Sequence, residues 1–156
     1  MRAYADSSFM LRLVTAEASS AAAIGQYRRI GRPPLFFLAL HALEVRNAIL
    51  QRAFHERRTL ASGHRRDIAR NRDAALDRVA RLLSRRTFLE VAVDMDAVIV
   101  RAAEMGNTHT ERLGARAIDL LHVAAALALE SEVFLTSDDR QAQLAQAEGL
   151  SVITDR

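Results

Sequence analysis

Residues 115–139 read ARAIDLLHVAAALALESEVFLTSDD and contain the two kinds of element that decide the fold. Ala115 to Glu130 is strongly apolar and long enough for a buried helix, with one acid, Asp119, in its first turn. Val133 to Leu135 is a short apolar run that fits a buried strand, and it ends in the polar residues 136–139. The stretch therefore predicts a helix and then a strand whose end carries acidic side chains.

The rest of the chain repeats this alternation of helices and short strands. Strands are predicted at residues 1–5, 35–38, 87–93, 133–135 and 150–153. The first predicted helix begins at Ser7, with Ser7 or Ser8 as N-cap, and others follow at 17–30, 41–57 and 63–84. Further helices are predicted from 94 or 96 to 105, at 115–130, and after 139 to about 148. Residues 106–114 are predicted as loop or frayed helix. Such alternation favours an α/β fold with a mainly parallel sheet of four to five strands and helices on both faces. The 156 residues, half of them hydrophobic, fit one domain, residues 1–156.

Composition excludes several classes of protein. The chain has no cysteine, which excludes disulfides, thiolate nucleophiles and cysteine-type zinc sites. No stretch reaches the roughly 18 uninterrupted apolar residues of a membrane span. The N-terminal residues MRAYAD lack the apolar segment of a signal peptide. We therefore expect a cytoplasmic protein without a membrane partner.

Positive charge is concentrated in the middle of the chain. All 22 basic residues are arginine, and 12 of them lie between Arg46 and Arg86 with only four acids, a net charge of 12 − 4 = +8. The remainder has 10 arginines and 15 acids, a net charge of −5. The predicted helices 41–57 and 63–84 thus form an arginine-rich hairpin, which indicates a nucleic-acid partner. The alternative is a charged surface that is merely solvated.

Four acids stand near strand ends or helix starts: Asp6, Glu44, Asp119 and Asp138. Ligands of open α/β sheets bind at the carboxyl ends of the strands, so the four could meet at one rim of the sheet. Clustered carboxylates repel each other unless a cation lies between them. Oxygen ligands without cysteine favour Mg²⁺ or Mn²⁺ over zinc.

Simpler roles compete for the same residues. Asp6 and Asp138 are good helix N-caps, and Glu44 alone would suit a solvated helix face. His122, three residues after Asp119, fits a buried structural histidine as well as a partner of a metal ligand. Asn47 could hydrogen-bond a metal ligand, and Arg116 could hold a phosphate, but a solvated residue at either position is equally compatible with the sequence.

Four segments together resemble the acidic motifs of PIN-domain nucleases, in order and spacing, and most closely those of the VapC toxins of bacterial toxin-antitoxin pairs. They are Tyr4-Ala5-Asp6-Ser7-Ser8, Leu43-Glu44-Val45-Arg46-Asn47-Ala48, residues 117–126 (AIDLLHVAAA), and Leu135-Thr136-Ser137-Asp138. The resemblance covers nearly the whole chain and implies a PIN-like three-layer α/β/α fold.

The same resemblance implies a function. The matching acids Asp6, Glu44, Asp119 and Asp138 would bind one or two Mg²⁺ or Mn²⁺ ions and cut RNA. Thr136 and Ser137 would orient the site with their hydroxyls, and Asp139 is a neighbour that could replace Asp138. We expect a separate antitoxin protein as a partner, and we expect the protein to form a homodimer.

Arg65, Arg66 and Arg70 of the predicted hairpin are candidate RNA contacts, through phosphates rather than bases. Two other functions remain open from the sequence. A non-catalytic module could use the arginine helices to bind nucleic acid or an acidic partner. A phosphatase of the haloacid-dehalogenase type needs a second Asp two residues after Asp6, where this chain has Ser8.

Overall fold

The computed structural model describes residues 1–155, which form five strands and seven helices. The strands are β1 (Ala3–Ala5), β2 (Leu35–Phe37), β3 (Phe88–Glu90), β4 (Val133–Thr136) and β5 (Ser151–Thr154). The helices are α1 (Ser7–Val14), α2 (Ser20–Arg29), α3 (Ala39–Thr59), α4 (Arg65–Ser84), α5 (Met95–Leu113), α6 (Ala117–Ala128) and α7 (Asp139–Ala147), and a 3-10 turn, Ser62–His64, joins α3 to α4.

The strands form one sheet in the order β3-β2-β1-β4-β5, and every neighbouring pair is parallel. This confirms the predicted parallel α/β sheet. The central pair is β1 and β4, with Ala5 opposite Leu135. The backbone N–H of Asp6 continues this pairing by donating to the carbonyl of Leu135 at 2.9 Å. The ends of β1 and β4 therefore lie side by side at the carboxyl edge.

Each face of the sheet is covered by its own helices. Side chains alternate along a strand, so Ala5 and Leu135 join the apolar core formed with α1 to α4, whereas Tyr4 and Phe134 join the core formed with α5 to α7. Sheet and helices thus make the three layers that the sequence predicts. No helix within residues 1–155 is both long enough and apolar enough to cross a membrane.

The prediction of a loop or frayed helix at residues 106–114 is wrong, because α5 continues to Leu113. Val98, Met105 and His109 are all buried on the side of α5 that packs on α6 and α7, and this packing outweighs the polar local sequence. A Cβ on Gly106 would lie 3.3 Å from Cδ1 of Leu120, so this glycine permits close approach of α5 and α6. Gly114, with φ of 64°, ends the helix.

Other boundaries also differ from the sequence prediction. Of the N-cap candidates that the sequence offers for α1, Asp6 is confirmed and Ser7 or Ser8 is wrong. The second helix begins at Ser20 rather than at residue 17, and α6 is shorter at both ends than predicted. The arginine-rich hairpin is present as α3 and α4, which pack on each other through buried residues that include Ala53, Ile68 and Ala75.

Candidate metal centre

The four predicted acids converge on one small pocket at the carboxyl edge of β1 and β4. Its volume is about 70 Å³. It is lined by Asp6, Ser7, Ser8, Glu44, Arg116, Ile118, Asp119, His122, Asp138 and Gln141. A larger groove of about 160 Å³ lies between α1, α3 and α4 and contains none of the four acids.

Asp6 is a buried helix cap and a wall of this pocket at the same time. Its Oδ1 accepts hydrogen bonds from the Phe9 N–H at 2.8 Å and the Ser8 hydroxyl at 2.7 Å. Its Oδ2 accepts from the Thr136 hydroxyl at 2.6 Å. Burial raises the pKa of Asp6, although these hydrogen bonds oppose the increase. Asp6 therefore caps α1 and lines the pocket with the same carboxylate, so the cap does not keep it away from the other acids.

Glu44 comes to the pocket from the second turn of α3 and is held by two groups. The Ser7 hydroxyl donates to its Oε2 at 2.8 Å, and Nε2 of His122 hydrogen-bonds the same oxygen. Burial alone would raise the pKa of Glu44, but the hydrogen bond and charge of His122, with the Ser7 bond, lower it. Glu44 is therefore kept ionised and oriented toward the pocket.

His122 is both a buried structural histidine and a partner of a candidate ligand. Its Nδ1 lies 2.8 Å from the hydroxyl of Tyr4. Burial, followed by the charges of Asp6 and Glu44, raises the pKa of Tyr4 well above its usual value, so the phenol keeps its proton beside this ring.

Asp119 and Asp138 share one cation, the guanidinium of Arg116. Oδ2 of Asp119 accepts from the Arg116 backbone N–H at 2.9 Å and from its Nε at 3.0 Å, while Nη2 donates to Oδ1 at 2.9 Å. Nη2 also lies 3.3 Å from Oδ2 of Asp138. The hydrogen bond to Asp119, the largest of several causes, raises the pKa of Arg116. Oδ1 of Asp138 caps α7 by accepting from the N–H groups of Arg140 and Gln141.

The remaining predicted residues divide into those at the site and those beside it. Thr136 is buried and donates to Asp6. Ser137 donates from its backbone to Ser8 at 3.1 Å and from its hydroxyl to Asp155 at 3.0 Å. Asn47 and Asp139 are exposed and do not line the pocket. Of the two neighbouring acids, Asp138 is therefore the one at the pocket.

Three features of this region were not predicted. Ser7 and Ser8 contact the acids, although the sequence suggested them only as caps. Gln141 is 3% exposed and lines the pocket, and its Nε2 has no hydrogen-bond partner. Asp155 is buried behind Ser137 and pairs with Arg12 at 2.8 Å. Asp155 directly follows β5, as Asp6 directly follows β1, and this is the sequence feature that could have identified it.

The donor set fits a hard divalent cation. Four carboxylates with serine hydroxyls around one pocket are the oxygen ligands that Mg²⁺ and Mn²⁺ prefer. As arranged, no group of three or more His, Asp or Glu side chains among residues 1–155 is placed to hold an ion. The positive charge between Asp119 and Asp138 is Arg116.

The candidate RNA contacts lie away from this pocket. Arg65, Arg66 and Arg70 are exposed at the start of α4, and Arg70 pairs with Asp67 at 2.8 Å. From Glu44 to the end of α3 at Thr59 is about 22 Å along the helix axis. These arginines therefore sit at the far end of the hairpin.

Comparison with known proteins agrees with this architecture. The crystal structure of PAE2754 from Pyrobaculum aerophilum superposes with a TM-score of 0.62 at 18% sequence identity, over 99% of this chain and 90% of that one, a likeness of fold alone. No curated protein is significantly similar in sequence. Residues 3–147 match the PIN domain family, whose members are generally metal-dependent nucleases. The chain therefore belongs to the PIN domain family.

Proposed function

We propose that this protein is a Mg²⁺- or Mn²⁺-dependent endoribonuclease that hydrolyses phosphodiester bonds in RNA. The observation that carries the proposal is the convergence of Asp6, Glu44, Asp119 and Asp138 on one pocket of a PIN fold. These acids come from four separate regions of the chain, and charge repulsion opposes bringing them together. A site that binds a cation explains why they converge.

The four carboxylates are the residues that would hold the metal. A bound Mg²⁺ or Mn²⁺ would supply a more acidic water and neutralise charge that develops on the phosphate. The chain's own contribution is orientation: Ser8 and Thr136 fix Asp6, and Ser7 and His122 fix Glu44. A carboxylate of the cluster accepts the proton of the attacking water. The products are a 5′-phosphate and a 3′-hydroxyl, as in the nucleases that the motifs resemble.

RNA is proposed as the substrate because a polyanion suits the arginine-rich hairpin. The segment from Arg46 to Arg86 carries a net charge of 12 − 4 = +8 in a chain of net charge +3. Arginine contacts to phosphates hold a strand in register without reading its bases. Arg65, Arg66 and Arg70 would bind phosphates distant from the cut.

We also propose that the protein is the toxin of a toxin-antitoxin pair and forms a homodimer. The likeness of the four motifs to VapC toxins supports the first part. Three exposed apolar side chains that share one face of α3 support a protein partner, because a contiguous apolar surface is usually covered. They are Leu43, Leu50 and Phe54, spaced i, i+7 and i+11. A gene directly upstream for a small DNA-binding protein with a disordered tail would support the toxin role.

Cleavage of a labelled single-stranded RNA in Mg²⁺ or Mn²⁺ tests the enzymatic proposal. Asp6→Asn, Asp119→Asn and Asp138→Asn should each abolish cleavage while thermal unfolding shows an intact fold. Asp139→Asn is the matched control, because this acid is next in the chain but does not line the pocket, and it should cleave normally. If the wild type cuts RNA equally well in EDTA, or if the three pocket variants remain active, the proposal is wrong.

A further inference from the structure

Among residues 1–155, Arg116 is the basic side chain that bridges two of the pocket acids. Its guanidinium uses Nε and Nη2 on both oxygens of Asp119 and reaches Oδ2 of Asp138 at 3.3 Å. Both oxygens of Asp119 are thus occupied by Arg116, and Oδ1 of Asp138 already caps α7, so a metal ion held by these two acids would have to share or replace the contacts of Arg116. Arg116 and a divalent cation therefore compete for the same atoms.

The two side chains of this contact differ in their exposure to solvent. The Asp119 side chain is 1% exposed, whereas the Arg116 side chain is 55% exposed. The guanidinium can move into solvent without opening the core. Asp119 would still be held, because the backbone N–H of Arg116 donates to its Oδ2 independently of the side chain.

We propose that Arg116 is an internal counter-ion that the metal displaces, and that the displaced guanidinium then binds a phosphate of the RNA. This inference rests on the proposed function. Without metal, Arg116 neutralises Asp119 and Asp138 and suppresses their repulsion. With metal, the carboxylates are neutralised by the ion, and a planar guanidinium at the edge of the pocket is suited to a two-pronged contact with phosphate. Metal loading and substrate binding are thereby coupled.

Competition has a calculable consequence for metal affinity. The apparent affinity for the metal equals the intrinsic affinity multiplied by the fraction of molecules in which the Arg116 side chain has left the two carboxylates. Because the Arg116 side chain is half-exposed and its charge is screened by water, the contact is weak, and removing it should tighten Mn²⁺ binding by up to about fivefold. Arg116→Gln should show this increase in isothermal titration with Mn²⁺. Arg101→Gln is the matched control, since Arg101 is 49% exposed and also pairs with two acids, but away from the pocket, and should leave Mn²⁺ affinity unchanged.

A loss of local positive charge would tighten metal binding without any displacement, so a second measurement is needed. The affinity of a fluorescein-labelled single-stranded RNA is measured against salt, in EDTA and in Ca²⁺, which suppresses cleavage. If Arg116 binds phosphate only after displacement, Arg116→Gln should flatten the log-log salt slope by roughly 0.7 in Ca²⁺ and leave it unchanged in EDTA. A simple charge effect would change both slopes equally.

The outcomes separate this inference from the proposed function. In one outcome, the wild type binds Mn²⁺, Asp119→Asn abolishes this binding, and Arg116→Gln leaves the Mn²⁺ affinity unchanged. This result overturns the counter-ion role of Arg116 and leaves the nuclease proposal standing. Equal salt slopes of Arg116→Gln and wild type in Ca²⁺ overturn the phosphate contact. If the wild type binds no divalent ion, both proposals are wrong. Arg116→Lys, which keeps the charge but loses the two-pronged geometry, should recover only part of the wild-type slope in Ca²⁺.

Discussion

At the scale of single residues, the pocket is lined by side chains that also hold the fold together. Asp6 caps α1, binds Thr136 across to β4, and presents a buried carboxylate to the pocket. A buried negative charge costs free energy unless it is compensated. The stability of the protein should therefore depend on the protonation of this carboxylate.

Asp6→Asn should be more stable than the wild type in metal-free buffer at neutral pH. Burial raises the pKa of Asp6, so the folded state binds its proton more tightly than the unfolded chain. Stability then falls as pH rises from the unfolded-state pKa through the folded-state pKa, and the cost is fully present above it. The variant lacks this titration, while asparagine still caps the helix. Thermal unfolding in EDTA should show a higher Tm for the variant than for the wild type, and this difference in Tm should become smaller as the pH is lowered.

Mg²⁺ or Mn²⁺ should reverse this order by stabilising the wild type, because a ligand that binds only the folded state raises its stability by mass action. The variant should be stabilised less by the same ion. A wild-type Tm that does not respond to millimolar divalent ion would contradict the metal site.

Gln141 carries a separate cost, because its buried Nε2 has no hydrogen-bond partner. An unpaired buried polar group costs about 1–3 kcal/mol. Gln141→Leu, similar in volume, should raise stability by about 1 kcal/mol, or about 2–4 °C in Tm for a domain of this size. Gln143→Leu is the control, since Gln143 is exposed on the same helix. Equal Tm values for the two variants would show that the amide of Gln141 finds a partner in solution.

At the scale of elements, helix packing decides where local sequence is ambiguous. Gly106 lies inside α5, where glycine normally weakens a helix. The helix continues because its buried face meets α6, and the missing Cβ leaves room for Leu120. The glycine is thus a packing residue rather than a break.

Gly106→Val should destabilise the fold by about 1–3 kcal/mol, because the added methyl groups would push α6 away from α5. Gly25→Val is the matched control: Gly25 is also helical, in α2, but a Cβ there would meet nothing within 4 Å. Valine at this position should be neutral or slightly stabilising. Denaturant unfolding compares the two, and a Gly106→Val variant as stable as the wild type would show that Leu120 simply moves aside.

The hairpin of α3 and α4 gives a prediction for RNA binding. Replacing Arg65, Arg66 and Arg70 by Gln should weaken binding of all RNAs about equally and flatten the log-log salt slope by roughly 0.7 for each phosphate that these arginines bind. The control triple is Arg28, Arg29 and Arg32 to Gln, which removes the same charge from the region around the end of α2. Titrations in Ca²⁺ with labelled RNA measure both. If the two triple variants show identical salt slopes, the hairpin arginines do not bind RNA, and their surface is either only solvated or in contact with a protein partner.

At the scale of the whole molecule, a buried ion pair connects the chain's two ends behind the site. Arg12 of α1 contacts Asp155, which follows β5, and Asp155 also accepts from Ser137 next to the pocket. The Asp155 side chain is fully buried and that of Arg12 is 24% exposed. This contact fastens the edge strand to the first helix.

Arg12→Gln should cost about 3–5 kcal/mol of stability, because it leaves a buried carboxylate without its cation. The contrasting variant is Arg70→Gln, which breaks a pair whose partners are both exposed and should cost less than about 1 kcal/mol. Urea unfolding measures both. A loss of stability as small in Arg12→Gln as in Arg70→Gln would mean that Asp155 reaches water.

Local pattern alone determined the alternation of strands and helices, the parallel sheet, the arginine-rich hairpin and the four acids. These follow from the sequence because side-chain period, apolar run length and an acid at a strand end are properties of neighbouring residues. The resemblance of four short motifs to PIN nucleases added the family, which the match over residues 3–147 confirmed. The roles of the acids, the RNA substrate and the antitoxin stay predictions.

Only the tertiary structure decided which groups the acids meet. Arg116 between Asp119 and Asp138, His122 on Glu44, and Arg12 on Asp155 are contacts set by the strand order β3-β2-β1-β4-β5. The same is true of α5, which continues through Gly106 because of its packing on α6. Burial and pairing depend on residues that are distant in the chain, so no local pattern could specify them. The counter-ion of the pocket became visible only when four separate segments were placed around it.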